Sequence, residues 1–316
     1  MRVTHLLTHR RPAVGLALLL AAVCSAAAAN PPISLDSKVD QGELVVRYQG
    51  RKLLVYAFAT NQFKPYVREL YTLRGENVLR DAPPDHLHHH GLMYAVYVNG
   101  INFWEERGTP GIQESAVIPQ QSEVTPERAQ FYQVIHWLAP TNLAVPMLIE
   151  LRRFMLKVDE PNQEVALRWD SVFTANQAVK IHGPNYDGLG LRLPESFNHV
   201  AQFQNGAGLP YPGKNQNVIA APWTSVSGTM GGRDVMLAMF SDPGNAPGKA
   251  TFFTMLDPFA YLSATQALDQ KPLEYPAGSH FELSYLLTVY SENKSPDFLK
   301  HRYGQWLKTL KSGPPL

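Results

Sequence analysis

Residues 147–175 read MLIELRRFMLKVDEPNQEVALRWDSVFTA, and the two halves of this stretch decide the fold class. Aliphatic, β-branched and aromatic residues run through Met147–Val158 and again through Glu164–Ala175, where Val165, Leu167, Trp169 and Val172 recur. Between them, Asp159-Glu160-Pro161-Asn162 brings turn-forming residue types and a proline that breaks any helix. The pattern predicts two antiparallel strands and a tight connection. Outward from this hairpin the same signature recurs: Leu44–Tyr48 and Lys52–Tyr56 flank Gln49-Gly50-Arg51. Asp234–Phe240, Ala250–Leu256 and His280–Tyr290 are further strand candidates, the last preceded by the turn-like Tyr275-Pro276-Ala277-Gly278. The chain's 25 prolines and 22 glycines fall between these runs and not at helical spacing. An all-β fold follows, an antiparallel β-sandwich.

One segment breaks the pattern. Ser295 offers a capping hydroxyl before Pro296 at a first helical position, with Asp297 in the first turn. Leu299, Tyr303, Trp306, Leu307 and Leu310 then recur at helical spacing, which predicts an amphipathic helix over 296–311 lying on the sandwich. No internal repeat or composition shift divides the rest, so 30–316 reads as a single domain.

Residues 1–29 read as a signal peptide. Arg2, Arg10 and Arg11 precede the apolar run Ala13–Val23, and Ala27-Ala28-Ala29 suits cleavage after Ala29. A lipoprotein reading at Cys24 is the rival, but Val23 is bulkier than such a motif takes; Pro12 and Ala13 do not fit a twin-arginine signal. Cleavage removes three arginines and no acids, so the formal charge of +1 becomes −2. A near-neutral chain without a basic stripe argues against a nucleic-acid partner. Cys24 is the only cysteine, so the expected mature protein has neither disulfides nor thiolate chemistry. No later run reaches the ~18 apolar residues of a membrane span. The expected location is the periplasm or the exterior.

Residues 64–106 read KPYVRELYTLRGENVLRDAPPDHLHHHGLMYAVYVNGINFWEE and carry four histidines within five positions: His86, His88, His89 and His90. Imidazole titrates near neutral pH and is the commonest metal ligand. In an extended run, His86, His88 and His90 share one face, roughly 6.5–7 Å apart, and His89 points away. Pro83-Pro84-Asp85 is also a turn signal, and the plainer reading is a loop of exposed imidazoles.

A second polar cluster runs from His182 through Gly183, Asp187, Gly188 and Gly190 to Arg192. His, Asp and Arg are residue types that bind and protonate polyols; a turn capped by Asp187 is the competing reading. Arg68 and Tyr71 precede the histidines, and Trp104, Glu105 and Glu106 follow them. Arg68 and Arg192 are candidate substrate clamps. Trp104 offers a ring face to a sugar, or simply packs in the core. His136-Trp137 and Glu150 read as structural. The chain lacks a G-x-S-x-G elbow, a Walker loop and an H-E-x-x-H helix. Acid/base chemistry by histidines and carboxylates remains, or a histidine-based metal centre.

These segments resemble a family of secreted bacterial proteins labelled PmoA-like, of unknown function. Tyr66-Val67-Arg68-Glu69-Leu70-Tyr71, Asp85-His86-Leu87-His88-His89-His90-Gly91-Leu92 and Asn102-Phe103-Trp104 carry the resemblance, with weaker support from Gly188–Arg192 and Asp242-Pro243-Gly244-Asn245. Members more often have Pro where this chain has Leu87, and Arg where it has His90. The label points to a methane oxygenase subunit, an integral membrane protein unlike this chain. The resemblance implies a galactose-mutarotase-like supersandwich, an architecture common among carbohydrate-active enzymes.

The expected function is a carbohydrate-active isomerase, lyase or hydrolase with a small-molecule or oligosaccharide ligand. His88, His89, His182 and Asp187 are the candidate catalytic residues, with Arg68, Tyr71, His86, Trp104 and Arg192 holding substrate. No cofactor is expected. The alternatives are a metalloenzyme in which His86, His88 and His90 bind a divalent metal, and a glycan-binding protein without activity.

Overall fold

Leu148–Asp159 and Glu164–Ala175 form the predicted hairpin, paired without interruption from Leu148 opposite Ala175 to Asp159 opposite Glu164. Its first strand alternates strictly. Leu148, Glu150, Arg152, Phe154, Leu156 and Val158 are buried, while Ile149, Leu151, Arg153 and Met155 face outward. Two charged residues therefore point into the core. Arg152 Nε and Nη2 donate to Glu150 over 2.8 and 2.9 Å, and the Glu150 carboxylate also accepts from Trp137 Nε1 at 2.9 Å and Ser171 Oγ at 2.6 Å. The ion pair is fully satisfied, as a buried charge must be.

The computed structural model describes residues 32–213, 215–245 and 250–312. The expected signal peptide, Cys24 and the expected cleavage point at Ala29 lie outside them. The described residues fall within one compact unit. The hairpin is the centre of an eight-stranded antiparallel sheet, whose order runs from Gln202–Asn205 through Trp223–Met230, Arg233–Ser241, His280–Tyr290, the hairpin and Arg128–Leu138 to Ile112–Val124. A nine-stranded sheet faces it; its order is Ile33–Lys38, Glu43–Tyr48, Arg51–Ala57, Tyr66–Leu70, Leu92–Ala95, Gly188–Arg192, Tyr261–Ala264, Thr251–Met255, Asn217–Ala220. Phe131, Trp137, Phe154, Trp169, Phe173 and Tyr285 of the first sheet pack with Val67, Leu92, Tyr94, Leu189 and Leu262 of the second. The fold is thus an antiparallel β-sandwich.

Each large sheet also has an outer face. On the eight-stranded sheet the helix Pro296–Ser312 covers part of it, seating Leu299 and Trp306 against Trp223, Met236, Phe240, Leu286 and Tyr290. Arg302 pins the helix to the buried Glu164 carboxylate at 2.9 Å. On the nine-stranded sheet, residues alternating with the core positions collect into a second apolar layer: Tyr66, Met93, Ala95, Phe253, Met255 and Tyr261. A small sheet flanks this face, with Leu273–Tyr275, Val179–His182, Tyr97–Val98 and Ile101–Asn102 in that order.

The edge strand Ile112–Val124 is irregular. Its register against Arg128–Leu138 shifts between Ser115 and Val117, between Val117 and Gln120, and between Gln121 and Glu123. Pro119 sits inside it, which a strand tolerates only at an edge or a bulge.

Candidate active site on the outer face of the nine-stranded sheet

The histidine segment is a coiled turn and not the extended run expected from its spacing. The Ala82, His86 and His89 amides donate to the carbonyls of His89, Pro83 and His86 over 3.0, 2.9 and 2.9 Å. Pro83-Pro84-Asp85 starts a turn and a second one follows, so the alternation of faces does not apply. The segment then drops onto the sheet at Gly91, where a Cβ would lie 2.5 Å from the Val67 carbonyl oxygen. Only glycine permits that approach.

Coiling brings His86, His88 and His89 together and sends His90 elsewhere. The ring centroids are 4.5 Å apart for His86 and His89, 4.6 Å for His88 and His89, and 5.7 Å for His86 and His88. His89 is the buried member and lies edge-on to Phe259 at 5.4 Å and Trp104 at 6.2 Å. Arg192 ties the turn down. Its Nη2 donates to Asp85 Oδ2 at 2.8 Å, its Nη1 to His89 Nδ1 at 3.4 Å, and its guanidinium lies 3.5 Å from the Phe259 ring centre. With Nδ1 accepting, the His89 proton is assigned to Nε2.

These contacts fix the charges. Burial, with His88, His86 and Arg192 nearby, pushes the His89 pKa down to about 2, so the ring is neutral. His88, half-buried, is also lowered, by burial first and then by the Lys64 charge. Burial alone raises the Asp85 carboxyl, but hydrogen bonds from Arg192 and His86 outweigh it and hold it at about 2. His88 is therefore a neutral base open to one side of the cluster.

His90 belongs to a separate chain. Its ring stacks on Tyr66 at 4.0 Å, and its Nδ1 and Nε2 lie 2.9 Å from Asp81 Oδ1 and 3.0 Å from Glu106 Oε1. Burial is the largest influence and lowers its pKa, but the two carboxylates together prevail and leave it raised. The fully buried Lys64 amine donates to Glu106 at 2.7 Å and to the Trp104 carbonyl at 3.0 Å. His90 thus presents no nitrogen to a metal shared with His86 and His88. Among the described residues no group of three His, Cys, Asp or Glu side chains is arranged to hold a metal ion.

The two sequence clusters meet on this face. Trp104, 2% exposed, packs between His89, Tyr261 and Tyr186, whose ring centres are 6.2, 6.1 and 5.7 Å away. Gly190 makes room for that floor: a Cβ there would overlap the Tyr261 hydroxyl and lie 3.1 Å from Trp104 Cη2. Asp187 is fully buried beside Gly183, and neither carboxyl oxygen has a hydrogen-bond partner among the described residues. Burial first, then the Glu105 charge, raises its pKa well above the ordinary carboxyl value, which favours the protonated form.

Three candidates lie off this centre. His182 sits on the small sheet with its ring 5.3 Å from that of Tyr97. Arg68 is committed to Glu43 at 2.7 Å, and Tyr71 donates to Glu69 at 2.7 Å beside Lys52. Asn245 of the Asp242–Asn245 segment is a structural cross-link, with its side chain bonded to the Ser284 backbone at 2.7 and 2.8 Å. Sequence reading passed over Lys64, Asp81, Phe259 and Tyr261, and took Tyr66 only as part of the family resemblance. Lys64 next to Pro65, ahead of a strand, was the one available signal; the others look like ordinary strand and turn residues.

The fold and face define an antiparallel β-sandwich with an aromatic-floored imidazole and carboxyl site on one outer sheet surface. Residues 43–303 match DUF6807, described as a family of unknown function, and the chain belongs to that family. That description carries no oxygenase label. No curated protein matches the chain. Among solved structures it is similar to the GH36 alpha-galactosidase AgaB from Geobacillus stearothermophilus, with 8% identity, 82% of this chain and 41% of that one covered, and a TM-score of 0.49. The chain therefore spans well under half of that enzyme. It is also similar to a galactose mutarotase related enzyme from Lactobacillus acidophilus, with 9% identity, 83% and 99% covered, and a TM-score of 0.40.

Proposed function

We propose that this protein binds a saccharide on the outer face of the nine-stranded sheet and moves protons at its anomeric centre, with His88 as the base. The observation that carries the proposal is the grouping of His86, His88 and His89, with ring centres 4.5–5.7 Å apart, at the rim of a floor made by Trp104, Phe259 and Tyr261. Aromatic faces suit the C–H surface of a sugar, and a neutral imidazole takes a hydroxyl proton at neutral pH. Asp187, whose raised pKa favours the protonated form, is the proposed acid.

The pairing suits ring opening. His88 takes the proton of the anomeric hydroxyl, the C1–O5 bond breaks as the carbonyl forms, and the acid protonates O5. Closure on the other face reverses each transfer and exchanges the anomers. Glycosidic cleavage needs two working carboxyls on either side of the bond. Here Asp85 is held by Arg192 and His86 and so is not free to work as the second carboxyl. Arg192 acts as the clamp of the histidine turn instead of a substrate clamp.

The test is anomer exchange, followed by NMR and polarimetry on fresh α-anomers of glucose, galactose, xylose and mannose, with mass spectrometry of oligosaccharide incubations alongside. Acceleration by the wild type, lost by at least about 100-fold in His88→Ala, is the expected result. Unchanged rates in that variant sink the role of His88, and saturable binding without exchange or cleavage makes the protein a glycan-binding module. The protein is further proposed to be exported, with Asn30 as its first residue; a mature protein that keeps Met1 would refute this.

A further inference from the structure

The small sheet beside the site carries a row of side chains that the proton chemistry does not use. His182 lies directly opposite Tyr97, and Tyr97 directly opposite Asn102, so all three project from one face. Their neighbours Ile181 and Val98 point the other way, into the core. All three are half-buried. The row is joined to the site by one amide: Asn102 Nδ2 donates to the Tyr97 hydroxyl at 2.8 Å, while its Oδ1 accepts from the Trp104 and Glu105 amides at 2.7 and 3.0 Å. Since the Tyr97 oxygen is the acceptor in that bond, its proton is left to donate outward. Cross-strand packing accounts for the Tyr97–His182 contact, yet not for two part-exposed rings held in line with the segment that supplies the floor.

We infer that Tyr97 and His182 form a second sugar subsite, so that the ligand is a saccharide of at least two residues, with one ring at the His86–His88 rim and the next on the Tyr97–His182 rings. His182 thereby becomes a binding residue and leaves the catalytic set. Burial first raises the pKa of both Tyr97 and Tyr186, and Asp187 and Glu105 add to each, in keeping with a row that lies close to the main site. On the same face of the strand Lys180 is already paired with Glu274 at 3.8 Å, so the second residue is taken as an uncharged sugar. This inference rests on the reading of the outer face as a saccharide site.

The deciding experiment is a length series: calorimetric titration with glucose, galactose, xylose and mannose and with their linear di- and trisaccharides. In at least one series the disaccharide should bind about tenfold tighter than the monosaccharide. Tyr97→Ala should bring that ratio to about one, and Tyr97→Phe should keep most of it. The His182 ring signals should shift on adding the disaccharide and stay in place with the monosaccharide. Equal affinity along the series, or a ratio kept in Tyr97→Ala, overturns the subsite while leaving the saccharide reading intact. Absence of binding at every length overturns both.

Discussion

Arg152→Met tests the polar cluster inside the sandwich on which the strand entering the site depends. Arg152 and Glu150 are both completely buried, and the guanidinium makes two bonds to the carboxylate, at 2.8 and 2.9 Å, plus one from Nη1 to the Pro65 carbonyl at 2.8 Å. It also stacks on Trp169 at 4.5 Å. Methionine recovers much of the aliphatic packing but leaves the carboxylate with only Trp137 and Ser171. Breaking a buried ion pair from one side costs about 3–5 kcal/mol. Glu150→Gln added to Arg152→Met removes the orphaned charge, and the double variant should regain roughly 2–3 kcal/mol of that loss. Urea unfolding followed by tryptophan fluorescence reads both, because Trp137 and Trp169 touch the cluster. A loss under about 1 kcal/mol in the single variant, or a double variant no better than the single, refutes the reasoning. Pro65 lies between Lys64 and Tyr66, so the freed carbonyl should also disturb the His90 ring signals by NMR.

Two further outcomes follow from packing and charge. Gly190→Ala drives a methyl into Tyr261 beneath the site and should cost about 1–3 kcal/mol in urea unfolding, whereas Gly304→Ala, whose Cβ meets open space on the helix, should gain up to about 1 kcal/mol; equal effects would contradict the packing described. In acid, His89 and His90 act in opposite senses. The His89 pKa falls from 6.5 to about 2 on folding, so the unfolded chain takes up that proton first, and stability drops at about 1.4 kcal/mol per pH unit as pH falls below 6.5. The His90 pKa is raised, so its contribution is complete below the ordinary histidine value and is lost as pH rises through the folded one. Urea midpoints between pH 4 and 8 should show a flatter acid limb in His89→Asn; an unchanged limb would mean that this ring is not held neutral.

The strands were legible because their pattern is local. Leu148–Asp159 alternates at every position, and the predicted runs at Leu44–Tyr48, Lys52–Tyr56, Asp234–Phe240 and Ala250–Leu256 differ from the observed strands by a residue or so at each end. The helix begins at Pro296 for the reason its capping sequence gives. Ile112–Val124 was passed over because Pro119 and three register shifts erase its period. The site was half legible. Histidine clustering marked the place, but spacing could not tell that two successive turns would gather His86 with His89 and detach His90 to Asp81 and Glu106. Those carboxylates, like the Arg192 bond to Asp85, are joined across 9, 16 and 107 positions, and no local pattern encodes such a pairing.

The broken register of Ile112–Val124 has a bearing on how the protein keeps to itself. A straight terminal strand of 13 residues would offer a ladder of open amides and carbonyls to any second chain. Here each bulge turns the ladder aside, Pro119 omits one donor, and Glu114 and Glu123 place like charges where an incoming copy would align. Val117 and Ile118, 41% and 42% exposed, would otherwise make an adhesive rim. With its own seam spoiled in this way, that margin is a poor template for a second copy.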